Sequence, residues 1–279
     1  MNSPVDAKIN DNRTSSLGNT IKTEFIELGH YLLGRLKSPF TIIGLLIVIF
    51  LIVVSIFPQI LTPYSFNDAL GVYPDAWAPP SLDHPLGQTK FGRDVLVRII
   101  YGIADSLTFS TLTVLIGIAS ALIIGVPLIL LNKRLNLSAE VVFFPIFIVP
   151  LIFISMVTFF ILPPVPLVFG LYLFPFFTYL IAKERFSLYA IGKKLITYFP
   201  LFIGFTILIY VFVGYLGFSS PYTIQLGNEI AEARQYMYVA AWATIFPGIA
   251  IVIILLGFFI TYAGLQKPPK QVQELKKAL

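Results

Sequence analysis

The feature that most restricts the fold of this chain is the placement of its charges, which leave five long stretches with none. These gaps run from Lys37 to Asp68, Asp105 to Lys133, Glu140 to Lys183, Lys194 to Glu229 and Arg234 to Lys267. A helix crossing the hydrocarbon core needs about 20 apolar residues, and an unpaired charge at its centre costs roughly 2.5–3.5 kcal/mol. Each gap is therefore a place where the chain can cross a bilayer. The third gap is too long for one crossing and is broken by Pro163, Pro164 and Pro166, which remove backbone donors and stop a helix. It reads as two helices with a tight turn. The predicted spans are about 40–61, 107–131, 141–162, 165–182, 195–218 and 240–265. An all-α transmembrane fold of six helices follows, with 1–38 as an N-terminal segment, 39–266 as the transmembrane domain and 267–279 as a tail.

Composition excludes a soluble alternative. Only 12% of the 279 residues are charged, against roughly 25% in ordinary soluble domains, and the mean hydropathy is +0.86. Thiolate metal sites, disulfides and thiol nucleophiles are excluded by the lack of cysteine, and His30 and His84 have no partner at a metal-ligating spacing. The net charge of +5 reflects topology rather than nucleic-acid binding. With the N-terminus placed inside, 15 of the 19 basic residues fall on the cytoplasmic side and 4 outside, while the acids divide 7 to 7. That asymmetry predicts cytoplasmic termini in a cell membrane, with no cleavable signal before the first span.

Outside the spans, Ile21, Phe25, Leu28, Leu32 and Leu36 recur at helical spacing between charged residues, which predicts an amphipathic helix over 20–36 at the membrane surface. Residues 1–19, rich in Asn, Ser and Thr, are expected to be irregular. The segment 62–106 contains Pro63, Pro74, Pro79, Pro80 and Pro85 and is expected to form a structured loop rather than a domain.

Within that loop the run His84-Pro85-Leu86-Gly87, then Gly92-Arg93-Asp94-Val95-Leu96, Arg98 and Tyr101-Gly102, resembles the signature of the second permease of dipeptide, oligopeptide and nickel ABC importers. A second match follows in the same order: Tyr215-Leu216-Gly217-Phe218, Ala233-Arg234-Gln235-Tyr236 and Phe246-Pro247-Gly248, with Leu226 where the family has tryptophan. The resemblance implies a six-helix bundle of the type I ABC importer permease kind. It also implies a heteromer with a second permease subunit, two ATPase subunits and an external solute-binding protein. No cofactor is expected on this chain, and ATP and Mg would be bound by the partner subunits. The chain has no phosphate-cradling Gly-x-x-x-x-Gly-Lys-Ser/Thr loop, so it is expected to be a pore-forming subunit rather than an enzyme.

The family's cytoplasmic coupling loop maps onto the segment before Pro200, where Ala182 alone matches its Glu, Ala, Ala and Gly positions. Ala182, Lys183, Glu184, Arg185, Phe186, Ser187, Tyr189 and Ala190 are the candidates for coupling to the ATPase, with Phe186, Tyr189 and Ala190 as its apolar stripe. Arg93, Asp94, Glu229, Glu232 and Arg234 are candidates for contact with the binding protein in the external loops, although Arg93, Asp94 and Arg98 are read first as pairing within their own loop. A secondary transporter is the main alternative. It is disfavoured because the predicted spans contain no Asp, Glu, Lys, Arg or His. A membrane enzyme is disfavoured because no nucleophile, base or metal cluster is grouped near one face.

Overall fold

In the computed structural model, residues 4–135, 165–182, 187–218 and 223–266 are described, and the structure is all-helical among them. The elements are α1 (Pro4–Leu36), α2 (Pro39–Ile56), α3 (Phe66–Leu70), α4 (Val95–Ser120), α5 (Val126–Leu135), α6 (Val165–Ala182), α7 (Leu188–Tyr215), α8 (Leu226–Ala233) and α9 (Trp242–Gln266). Four stretches are long and apolar enough to cross a membrane: Pro39–Ile56, Val95–Leu131, Leu188–Tyr215 and Trp242–Gln266. Pro166–Ala182 is a shorter apolar helix. The predicted crossing at 141–162 and the turn at Pro163 and Pro164 lie outside the described residues.

The helix that carries the second predicted span starts before the span does. The helix begins at Val95 rather than near 107, and α4 runs into α5 through a π-helical turn at Ala121–Gly125. Pro127 explains that turn, because it has no N–H to bond the carbonyl four residues back and its ring crowds that carbonyl. The 37 residues of Val95–Leu131 extend about 55 Å, more than the roughly 30 Å of a hydrocarbon core, so the helix protrudes from it. Residues 4–19 also depart from expectation, since α1 is helical from Pro4 and simply lengthens the amphipathic segment.

Burial ranks the helices. Half of the most apolar window of α7 is buried, against 22% of that of α2, so α7 is central and α2 peripheral. The core gathers Ile203, Ile207 and Val211 of α7 with Phe177 and Ile181 of α6 and Ile254 and Phe258 of α9. The line of small residues at which α2 meets α9 lets their backbones touch. A Cβ on Gly44 would lie 2.5 Å from the Thr261 backbone nitrogen, and one on Gly264 would overlap Thr41. Lipid provides no hydrophobic drive between helices, so this close packing is what holds the peripheral helix. Gly44→Val should therefore separate α2 from α9 and lower the detergent-solubilised melting temperature by several degrees, whereas Leu46→Val, on the exposed side of α2, should leave it nearly unchanged; fluorescence-detected thermal unfolding reads both.

Candidate functional site

The bundle has two polar ends. The loop end carries residues 57–94, α3 and α8; the α1 end carries α1 and the start of α7.

At the loop end, the His84–Gly102 run folds into a knot of backbone hydrogen bonds that delivers the chain into α4. Thr89 and Gly92 close a turn, with the Thr89 amide donating to Arg93 O at 2.8 Å and the Gly92 amide to Thr89 O at 3.0 Å. The Val95 amide reaches back to Gly87 O at 3.0 Å. Gly87 (φ +74°) and Gly92 (φ +67°) are both left-handed, a conformation that disfavours any side chain, and a Cβ on Gly87 would also strike the Trp242 ring at 2.6 Å. The two glycines of the motif are thus fixed by backbone geometry.

Asp94 caps α4. Its Oδ1 accepts from the Val97 amide at 2.8 Å, and its Oδ2 lies 2.9 Å from His84 Nδ1. Arg93 turns its guanidinium onto backbone carbonyls, with Nε donating to Gly71 O at 2.6 Å and Nη2 to Leu70 O at 2.9 Å, and burial moves its pKa down. Asp68, outside the bundle, caps α3 reciprocally with Ser65, and the Ser65 amide and hydroxyl hold its carboxyl below the usual range. Between these elements lies a cavity of about 310 Å³ lined by Tyr64, Asp68, Tyr73, Asp75, His84 and Asp94, among others.

The strongest contact at this end was invisible as a pair in the sequence. Arg98, only 4% exposed, donates from Nε to Glu229 Oε2 at 2.6 Å and from Nη2 to Oε1, while Nη1 donates to Ala69 O at 2.5 Å. One guanidinium thereby joins α4, α3 and α8. The join needs α8 to run close against α7, and Gly227 permits it: a Cβ there would overlap the Val211 carbonyl oxygen.

The five external candidates therefore divide. Arg93, Asp94 and Glu229 are engaged inside the chain, the pairing within the loop that was read first for Arg93 and Asp94. Glu232 and Arg234 stay exposed: Glu232 accepts from Asn228 Nδ2 at 3.0 Å, and Arg234 donates to the Tyr215 hydroxyl at 2.9 Å and covers its ring. Beside them Tyr236, Met237, Tyr238 and Val239 form an exposed apolar run, with Tyr236 packed on the Trp77 ring at 4.7 Å.

At the α1 end, four coupling candidates, Lys183, Glu184, Arg185 and Phe186, lie outside the described residues. Ala182 ends α6, and Ser187 is the N-cap of α7, its hydroxyl accepting from the Ala190 amide at 3.3 Å. Tyr189 and Ala190 are half-buried. Sequence reasoning missed Glu24 of α1, whose Oε2 accepts from the Leu188 amide at 2.8 Å and the Tyr189 amide at 3.3 Å, a second cap on the first turn of α7. Tyr31 completes the brace, with its hydroxyl 2.8 Å from Thr197 Oγ1 and donating to Leu265 O at 3.0 Å, and Lys193 standing 5.0 Å from its ring centroid. The 20–36 helix is thus packed on the bundle while still exposing Phe25, Ile26 and Leu33.

Among the described residues no group of side chains is arranged to hold a metal. A bundle of long apolar helices with a polar cap at each end defines a multi-pass membrane protein. The chain is similar in sequence to dipeptide-transport permeases. It is 25% identical over 264 residues to the dipeptide transport system permease protein DppC of Alkalihalophilus pseudofirmus, covering 82% of this chain and 85% of that protein. It is 35% identical over 97 residues to DppC of Escherichia coli K12, covering 33% of this chain and 31% of that protein. No family model matches the chain.

Removing one side of the Arg98–Glu229 pair should be severe, because the other charge stays buried: Arg98→Met or Glu229→Leu should each destabilise the detergent-solubilised protein by about 3–5 kcal/mol, while the double variant recovers most of that loss. Thermal unfolding of the three variants measures the coupling.

Proposed function

We propose that the chain is the membrane-spanning permease subunit of an ATP-driven ABC importer, forming half of the path for a peptide or similar small solute. The observation that carries this reading is the homology to DppC across 82% of the chain, in which the motif residues of the resemblance coincide with the folded cap at the loop end. ATP and Mg would be bound by two ATPase subunits, with a second permease completing the path and a solute-binding protein delivering the cargo. Both termini would be cytoplasmic, with the exposed Phe25, Ile26 and Leu33 of α1 in the interfacial lipid.

In this arrangement the α1 end meets the ATPase through Ala182–Ala190. A lever must be rigid to convert nucleotide binding into helix movement. The brace of Glu24 and Tyr31 on α7 and α9 supports that role, because it makes the first turn of α7 move with α1 rather than fray. At the opposite end Glu232 and Arg234, with the exposed run Tyr236–Val239, form the surface for the binding protein, and the inward-turned Arg93, Asp94 and Glu229 hold it in shape.

Affinity purification in mild detergent of the tagged chain from its native membranes tests the reading by mass spectrometry and an ATPase assay. A second permease and ATPase subunits should co-purify. Phe186→Asp or Ala190→Asp should lower binding-protein-stimulated turnover about tenfold or more, the scale of losing one interface hot spot, without unfolding the chain. Recovery of this chain alone, with no associated ATPase, would overturn the proposal.

A further inference from the structure

The exposed sides of the spanning helices differ in chemistry. On α2 they carry Leu46, Ile49, Phe50 and Val53, on α7 Phe205, Leu208 and Phe212, and on α9 Ile245, Ile249 and Val252, all suited to lipid tails. α4 is different over its loop-end half. Tyr101, Asp105, Thr108 and Thr111 recur at helical spacing along its exposed or half-exposed side before Leu112 and Leu115 take over.

Asp105 is the anomaly in that strip. Its Oδ2 accepts from the Tyr210 hydroxyl at 2.6 Å, and the Tyr210 ring is stacked on Phe109 with centroids 4.0 Å apart. Tyr210 lies five residues before the end of α7, so the carboxylate sits about 7–8 Å inside that end. Arg98, two helical turns nearer the loop end, is already paired with Glu229, and among the described residues no ion pair reaches Asp105. A half-buried carboxylate at this depth, on an otherwise polar exposed strip, cannot face hydrocarbon without a partner. Either water or another protein surface must cover it.

We propose that this strip of α4 lines the water-filled translocation path and that Asp105 meets the positively charged amino group of the solute there. The proposal rests on the permease reading above. Tyr210 holds one carboxylate oxygen and fixes the side chain, leaving the other free to accept a charge-assisted hydrogen bond from an ammonium group. The two threonines that follow offer hydroxyls to the passing backbone of the solute.

The chain has no native cysteine, which makes the test direct. In membrane vesicles holding the complete transporter, Thr108→Cys should be labelled on the tagged chain by a membrane-impermeant maleimide, while Ile49→Cys and Ile249→Cys stay unlabelled. Uptake of labelled dialanine at saturating binding protein should fall about tenfold to a hundredfold in Asp105→Asn, the scale of one hydrogen bond to a charged group. Asp105→Glu should keep most of the rate, and Tyr210→Phe, which removes the hydrogen bond but not the charge, should stay within about fivefold of the parent. An unlabelled Thr108→Cys would mean that a second subunit covers the strip and would overturn the proposal. So would Asp105→Asn transport at the parent rate in a strip that labels. If the parent complex shows neither dialanine uptake nor associated ATPase subunits, the permease reading fails and this inference with it, an outcome distinct from the other two.

Discussion

The loop end of this protein depends on one buried ion pair. Neither Arg98 nor Glu229 could be left in its present place alone, because each would be an uncompensated charge in a medium of low dielectric. Together they are tolerated only if α8 folds back from the end of α7 and lies between α4 and α9. The same guanidinium takes the Ala69 carbonyl, so α3 and the long loop before α4 are pinned by the bond that seats α8. Three segments far apart in sequence thus share one solution to one desolvation problem. The capping of α4 by Asp94, the left-handed turns at Gly87 and Gly92 and the packing of Trp242 on Gly87 then add geometry to a frame the ion pair has already fixed.

The α1 end is held by a different kind of contact. There the free amide groups at the start of α7 are satisfied from outside the helix, by Glu24, and a tyrosine hydroxyl ties α7 to the last turn of α9. Carboxylate capping at a helix N-terminus is worth about 0.3–1 kcal/mol at exposed positions, far less than a buried ion pair. The two ends therefore differ in kind: one is locked by buried charge, the other is set by exposed and part-buried polar contacts. Between them the helices meet through small residues, Gly44 and Gly264 at α2 and α9 and Gly117 and Gly170 at α4 and α6, where close backbone approach replaces the hydrophobic drive that lipid does not supply.

How much of this was legible follows from what charge-free gaps report. They locate the crossings because an unpaired charge is excluded from hydrocarbon, and the helices at 39–56, 165–182 and 242–266 lie inside their gaps, while the helix at 188–215 starts before Lys194. The rule failed at Val95 for the same reason it usually works. Asp105 was taken as a stop, but its carboxylate is held by the Tyr210 hydroxyl, and Arg98 before it is neutralised by a glutamate 131 residues away, pairings that no local pattern encodes. The left-handed turns at Gly87 and Gly92 are a local backbone requirement, of the kind that glycine itself signals. Glu24 was not legible, because its partners are the amides of Leu188 and Tyr189, which carry no side-chain signal.

The correction at α4 also alters an argument about energy. Secondary transport was disfavoured because the predicted spans held no ionisable residue, yet the helix that starts at Val95 contains Asp105 within its apolar stretch. Secondary transporters bind their coupling ion near the bilayer midplane. Along the remaining described length of α4, and through α6 and α9, no Asp, Glu, Lys, Arg or His follows, and in α7 the nearest are Lys193 and Lys194 in its first two turns. Hydroxyls of Ser110, Thr113 and Ser120 line α4 below Asp105, but they bind no proton at physiological pH and are buried against neighbouring helices. Asp105, near one end of α4, thus has no second carboxylate or base along the described apolar length that follows it. In the permease reading proposed above, movement of the helices is imposed at the α1 end, where α7 is braced to α1 and α9.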